Sequence, residues 1–94
     1  MASREMERIR NAVVDGRYTL TEHAYDEMDE DDLDVLDIES AILTGEIDQV
    51  LTKDPRGTRY VVVGNATDQK TEVGVVVRFV REDHLLVVTV YEKT

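Results

Sequence analysis

The hydrophobic pattern of the chain changes period near Gly45: apolar residues recur every three or four positions before it and every second position after it. Met6, Ile9 and Val13, with Ala12 beside them, predict a short amphipathic helix from Ser3 to Val14 that Asp15-Gly16 ends. Leu20, Ala24 and Met28, widened by Tyr25, predict a second helix over 20–30. Thr19 precedes Glu22 at capping-box spacing, so this helix is expected to begin near Thr19 to Thr21. The run Asp29-Glu30-Asp31-Asp32 interrupts the pattern. Val35, Ile38, Ile42 and Leu43 restart it and predict a third helix over 36–44, with Gly45 as its stop.

Beyond Gly45, the segments 47–52, 58–64, 72–80 and 84–91 are rich in valine, isoleucine, threonine and tyrosine and are separated by turn-forming residues. They predict a four-stranded antiparallel meander. Helices first and strands afterwards predict an α+β domain, with two or three N-terminal helices packed on one face of that sheet. Strand alternation sends Val73, Val75, Val77 and Phe79 toward the core and Arg78 away from it. In the last strand, Leu86, Val88 and Val90 oppose Leu85, Val87, Thr89 and Tyr91 by strict alternation. Arg78, Thr89 and Tyr91 are therefore candidates for the sheet face opposite the helices, with Arg56 or Arg59 near its rim.

A length of 94 residues implies one domain, 1–94, with a single modest core. The absence of cysteine excludes disulfides, thiolate metal sites and cysteine nucleophiles. No apolar run approaches the ~20 residues of a membrane span, and the first residues lack the apolar stretch of a signal peptide. A cytoplasmic protein with no membrane partner is expected.

The net charge of −10 is unevenly placed. Residues 1–52 hold four arginines and fifteen acids, net −11, whereas residues 53–94 hold seven lysines and arginines against six acids, net +1. Affinity for phosphates comes from basic side chains, so nucleic acid is excluded from the helical half but not from the strands. The acidic half points to solvation, a basic partner or adaptation to salt.

The succession GRYTLTEHAYDEM, DLDVLDIESAILTGEI, RGTRYVVVGNA and LLVVTVY resembles the DUF4258 family of small bacterial and archaeal proteins over nearly the whole chain. That family is similar to ribonuclease toxins of the RelE, barnase, EndoU and colicin type, with helices followed by a four-stranded antiparallel sheet. The resemblance implies metal-independent RNA cleavage, no cofactor, and a place in a toxin–antitoxin or similar defence pair. It maps the family's T-x-H-A histidine onto His23, its arginine after the glycine turn onto Arg59, and the threonine and tyrosine of its last strand onto Thr89 and Tyr91. Many members carry R-M-x-x-R just after the histidine, where this chain has Glu27-Met28-Asp29-Glu30-Asp31.

Such cleavage needs a base for the 2′-hydroxyl, a cation for the phosphorane and an acid for the departing oxygen. The chain offers His23 as base or acid, Arg59 with Arg78 and Arg56 as phosphate-binding cations, Tyr91 as proton donor or stacking surface, and Thr89 beside it. The first turn of a helix favours neutral imidazole at His23. The alternatives for His23 are a structural bond near the helix start and a non-catalytic ligand contact. His84, between Asp83 and the last strand, reads as a solvated turn residue. The acidic run from Glu27 to Asp34 lacks the central glycine and terminal glutamate of an EF-hand and reads as a solvated junction, so no metal is expected. The other functional reading is a non-catalytic protein-binding module that meets an antitoxin or other basic partner through its cleft or acidic helical face. The strand edges also offer a route to a homodimer.

Overall fold

The computed structural model describes residues 3–81 and 83–93. In chain order the elements are α1 (Arg4–Val14), β1 (Tyr18–Leu20), α2 (Glu22–Glu30), α3 (Val35–Thr44), β2 (Glu46–Leu51), β3 (Arg59–Asn65), β4 (Glu72–Val80) and β5 (His84–Glu92). The α+β class is as expected. The sheet, however, has five strands in the order β1-β5-β4-β3-β2 and is mixed, because β1 runs parallel to β5.

That extra strand occupies the predicted start of the second helix. Thr19 pairs with Leu86 in the ladder and Thr21 becomes the N-cap, its side chain accepting from the Ala24 amide at 3.0 Å. The expected Thr19–Glu22 capping box is therefore not formed. A capping box does start α3, where Asp34 and Asp37 each accept the other's backbone N–H at 3.1 Å.

Two helices end in the same way. After α1, the amides of Gly16 and Arg17 reach back to the carbonyls of Val13 and Ala12, with Gly16 in the left-handed region at φ 73°. After α2, Asp32 takes the left-handed position at φ 56°, and the Leu33 amide reaches the Met28 carbonyl at 2.8 Å. Part of the acidic run is thus a helix stop, since Asp is one of the few side chains that adopts this conformation.

All three helices lie on one face of the sheet. Their buried residues, including Met6, Ile9, Ala24, Met28, Ile38 and Ile42, close over Val62, Val73, Val75, Val77, Leu85, Val87 and Val90. In β5 the strict alternation expected from sequence fails at Val88. Val76 pairs with Thr89 but Val77 pairs with Val87, so Val88 is an extra, bulged residue. The bulge lets Leu85, Val87 and Val90 all face the core and turns Thr89 and Tyr91 to the other side. α3 approaches β3 closely because Gly45 and Gly64 have no side chain: a Cβ at either would collide with the Ala41 carbonyl.

The inner strands outrun their neighbours, and helix side chains complete their hydrogen bonding. Beyond β1, Thr21 Oγ1 donates to the Val88 carbonyl at 3.1 Å, Glu27 accepts the Val90 amide at 3.0 Å, and Asp31 accepts the Glu92 amide at 3.1 Å. Beyond β2, Ser40 donates to the Asn65 carbonyl at 2.8 Å and Thr44 accepts the Asn65 amide at 3.0 Å.

Asp37 also reaches out of α3 to the β3–β4 turn, accepting from Thr67 N and Oγ1 at 3.0 and 2.7 Å. These bonds, the hydroxyl first, hold its carboxyl below the usual 3.8. Within the turn, Asp68 accepts from Thr71 Oγ1 at 2.6 Å and is held down at about 2, chiefly by that bond.

Gly64→Ala is expected to lose about 1–3 kcal/mol of unfolding free energy, read as a lower urea midpoint, because the new methyl meets helix backbone that cannot swing aside. Asp37 and Asp68 both have folded pKa values below their unfolded value of 3.8, so their stabilisation is complete above that pH and is lost as pH falls through the folded values, about 2 for Asp68. Stability measured across this acid range should fall less steeply in Asp37→Asn and Asp68→Asn than in the parent chain.

Candidate functional site

The sheet face turned away from the helices carries most of the candidates. Register places Gly74, Val76 and Arg78 of β4 on it, opposite Tyr91, Thr89 and Leu86 of β5, with Val61 and Val63 of β3 on the far side. Val61 and Val76 are only 6% and 9% exposed although they lie outside the core cluster, so this face has a short apolar floor. Arg59 stands beside Arg78, one position beyond the Tyr60–Val77 pair. Thr89 is two positions along the sheet from Arg78, about 7 Å, and Tyr91 four positions, about 13 Å.

The arginines are held at one end of this face by the β2–β3 loop. Asp54 forms an ion pair with Arg59, 2.8 Å from its Nε, and accepts the Arg56 amide at 2.9 Å, and Arg78 donates to the Arg56 carbonyl at 3.1 Å. The Arg56 amide first, then the three nearby guanidinium charges, keep the Asp54 carboxyl below its usual range. Arg59 is thus partly neutralised by its own loop, while Arg78 keeps its charge beside the apolar floor and the Arg56 side chain is exposed.

Tyr91 lies at the other end. Its ring crosses Gly74 so closely that a Cβ there would overlap it, which turns the ring inward across β4 rather than toward the β5 edge. That glycine is needed for the ring to lie flat.

His23 stands apart, on the first turn of α2. Its side chain is 68% exposed, and its Nε2 is 3.4 Å from Glu27 Oε1 one helical turn later. Glu27 in turn receives the Val90 amide, between Thr89 and Tyr91 in the chain. Around α2 the order runs from buried Ala24 and Met28, through Asp31 and Glu27 at the β5 edge, to His23. The imidazole therefore flanks the uncovered face at the level of Thr89 and Tyr91, and among the described contacts it bonds no backbone group.

The structure brings Arg56, Arg59 and Arg78 together at one end of the face and ties His23 to the β5 edge through Glu27 and the Val90 amide, while the Tyr91 ring turns away from that edge over Gly74. Sequence reasoning missed Glu27 as the partner of His23, although their i, i+4 spacing on a helix is legible. It also read His84 as a solvated turn residue. His84 opens β5 instead, 2.7 Å from Thr19 Oγ1, in a shallow depression shared with Val80, Arg81 and Leu86. The neighbouring turn residue Glu82 lies outside the described residues.

Among the described residues no helix is long and apolar enough to cross a membrane. Comparison with known proteins then identifies the chain. The model of the family described as "Domain of unknown function (DUF4258)" matches residues 20–92, and the chain belongs to that family. No curated protein and no solved structure matches.

Glu27 links the edge of the sheet to the histidine, so its removal has a local signature. Glu27→Ala should leave the Val90 amide without a partner, costing about 1–3 kcal/mol of stability. Amide hydrogen exchange should accelerate at Val90 more than at Val87, whose side of the ladder is completed by β1.

Proposed function

We propose that this member of the DUF4258 family is a small endoribonuclease that lays RNA across the uncovered sheet face and cleaves it with His23 as the acid–base group. The observation that carries the reading is the pairing of His23 with Glu27. Among the described residues the imidazole bonds no backbone group, yet a carboxylate pinned by the Val90 amide stands against its Nε2. A proton on Nε2 directed at Glu27 leaves Nδ1 as the free acceptor.

The chemistry follows from what the face can hold. Nδ1 takes the 2′-hydroxyl proton as O2′ attacks the adjacent phosphorus. The O2′–P bond forms, the P–O5′ bond breaks, and the imidazolium formed at His23 gives its proton up to O5′, leaving a 2′,3′-cyclic phosphate and a 5′-hydroxyl. Arg78, charged and beside the apolar floor, faces the phosphate, and Arg56 and Arg59 raise the local cation density at the same end. Tyr91, flat across Gly74, is a stacking platform for an unpaired base, and the Thr89 hydroxyl lies between that platform and Arg78. Side chains supply each of these roles, so the reaction is expected to run without metal. A defence or toxin–antitoxin setting is the biological context this activity would suit.

Purified protein should cleave a mixed-sequence RNA in the presence of EDTA and generate cyclic-phosphate ends. His23→Ala should lower the rate by roughly a hundredfold or more, and Glu27→Gln should lower it less, in line with an orienting rather than a proton-transferring role. Absence of cleavage by the parent protein, or equal cleavage by His23→Ala, rules the proposal out.

A further inference from the structure

On the opposite side of the molecule the helices leave apolar surface uncovered. Among the described residues, four of the five large exposed hydrophobic side chains lie on α1, α2 and α3: Val14 at 70%, Leu36 at 63%, Tyr25 at 50% and Leu43 at 44%. Val14, Tyr18, Tyr25, Val35 and Glu39 line one groove where the end of α1 meets β1, α2 and α3. Leu36, Glu39 and Leu43 stand at i, i+3 and i+7 on α3, so the apolar surface continues along that helix from the groove.

The charge around this groove identifies what fits it. Residues 18–52 contain twelve acids and no lysine or arginine. Some of these acids serve the fold: Glu27 and Asp31 complete β5, Asp34 and Asp37 start α3, Glu39 receives the Tyr18 hydroxyl, and Glu46 pairs with Arg10. Glu22, Asp26 and Glu30 do not. They are exposed along α2 at successive i+4 positions, where like charges repel, and Asp29 and Glu30 sit at the negative end of the helix dipole with no basic residue in the last turn. Arg8, Arg10 and Arg17 are drawn elsewhere, to Asp83, Glu46 and Asp15. The acidic face thus costs local stability that no ion pair or hydrogen bond among the described residues returns.

We infer that this groove docks a basic amphipathic helix of a partner protein. Glu39 is the one acid lining the groove among the described residues, but the helical layer around it is strongly anionic, and an apolar groove in such a layer is complementary to a helix with leucine-like anchors on one face and lysine or arginine beside them. A second copy of this chain would bring the same acidic half, net −11, against the first, and nucleic acid or an anionic membrane would be repelled in the same way. The site lies on the opposite layer from the uncovered sheet face, so the partner and RNA would be held independently.

The test uses the intact protein and a synthetic helical peptide with leucines along one face and lysines on the rest, followed by amide chemical shifts. Shifts are expected around Val14, Tyr25, Leu36 and Leu43. Leu36→Lys and Tyr25→Ala, both at exposed positions, are each expected to weaken binding about tenfold or more, with an unchanged urea midpoint showing that the fold is intact. A peptide of the same composition with its leucines scrambled should bind about tenfold more weakly, and one with glutamate in place of lysine should not bind. Equal binding of the scrambled peptide, shifts confined to the sheet face, no binding of the leucine–lysine peptide, or no loss in Leu36→Lys would overturn the inference. None of these readouts involves RNA cleavage, so the two proposals fail separately.

Discussion

Backbone groups at the edges of a sheet must be bonded, and in this chain that requirement decides how the helices sit. β5 and β3 are longer than the outer strands beside them, and the exposed ends of their ladders are completed by side chains. Leaving the half-buried Val90 amide unpaired would cost about 1–3 kcal/mol, and Glu27 on Val90, with Asp31 on Glu92 and Thr44 on Asn65 at exposed positions, restrains the rotation and height of α2 and α3 against the sheet. Apolar packing holds the layers together but is tolerant of sliding. Directional bonds at two edges, with the close approach of Ala41 to Gly45 and Gly64, remove that freedom.

The same constraint builds the candidate site. Glu27 can face His23 only because the Val90 amide fixes its carboxylate at the sheet edge, and the bulge at Val88 turns Thr89 and Tyr91 to the uncovered side while Val90 stays in the core. Without the bulge, strict alternation from Val87 would turn Thr89 and Tyr91 toward the helices and expose Val90. One extra residue in one strand therefore serves both packing and the composition of the open face. The acids at positions 27 and 31, where the family resemblance led to an expectation of arginine, act here as acceptors for strand amides. An arginine has no acceptor to offer those groups, so the departure changes how this edge is closed as well as its charge.

The helices, the four long strands and the core face of β4 were legible because each rests on a local period of apolar residues. The three residues of β1 were not: a segment this short shows no period, and its strand character comes from pairing with Leu85, Leu86 and Val87 more than sixty residues later. The bulge escaped for a related reason, since all of β5 from Leu85 to Val90 except Thr89 is apolar and either parity looks equally good. Among site residues, Arg78, Thr89 and Tyr91 were placed on the correct face. The engagement of Arg59 by Asp54 and the crossing of Gly74 by Tyr91 depend on a loop and on a neighbouring strand, which no single segment encodes.

Charge separates the two faces as cleanly as secondary structure does. Residues 1–52, the three helices with β1 and β2, carry a net charge of −11, and the remaining strands are close to neutral, with Arg56, Arg59 and Arg78 gathered at one end of the open face. A long polyanion approaching the molecule is repelled by the helices and meets positive charge only across the sheet, within about 10 Å at moderate salt. A cationic ligand experiences the reverse. Placing like charges along the exposed side of α2 weakens that helix by a few tenths of a kcal/mol for each pair. Hydrogen bonding to β5 accounts for Glu27 and Asp31 but not for Glu22, Asp26 and Glu30, whose carboxylates enter no hydrogen bond or ion pair among the described residues. The fold therefore explains the acids that point inward, and the field they share with the outward ones makes the helical layer the side from which a basic partner would arrive.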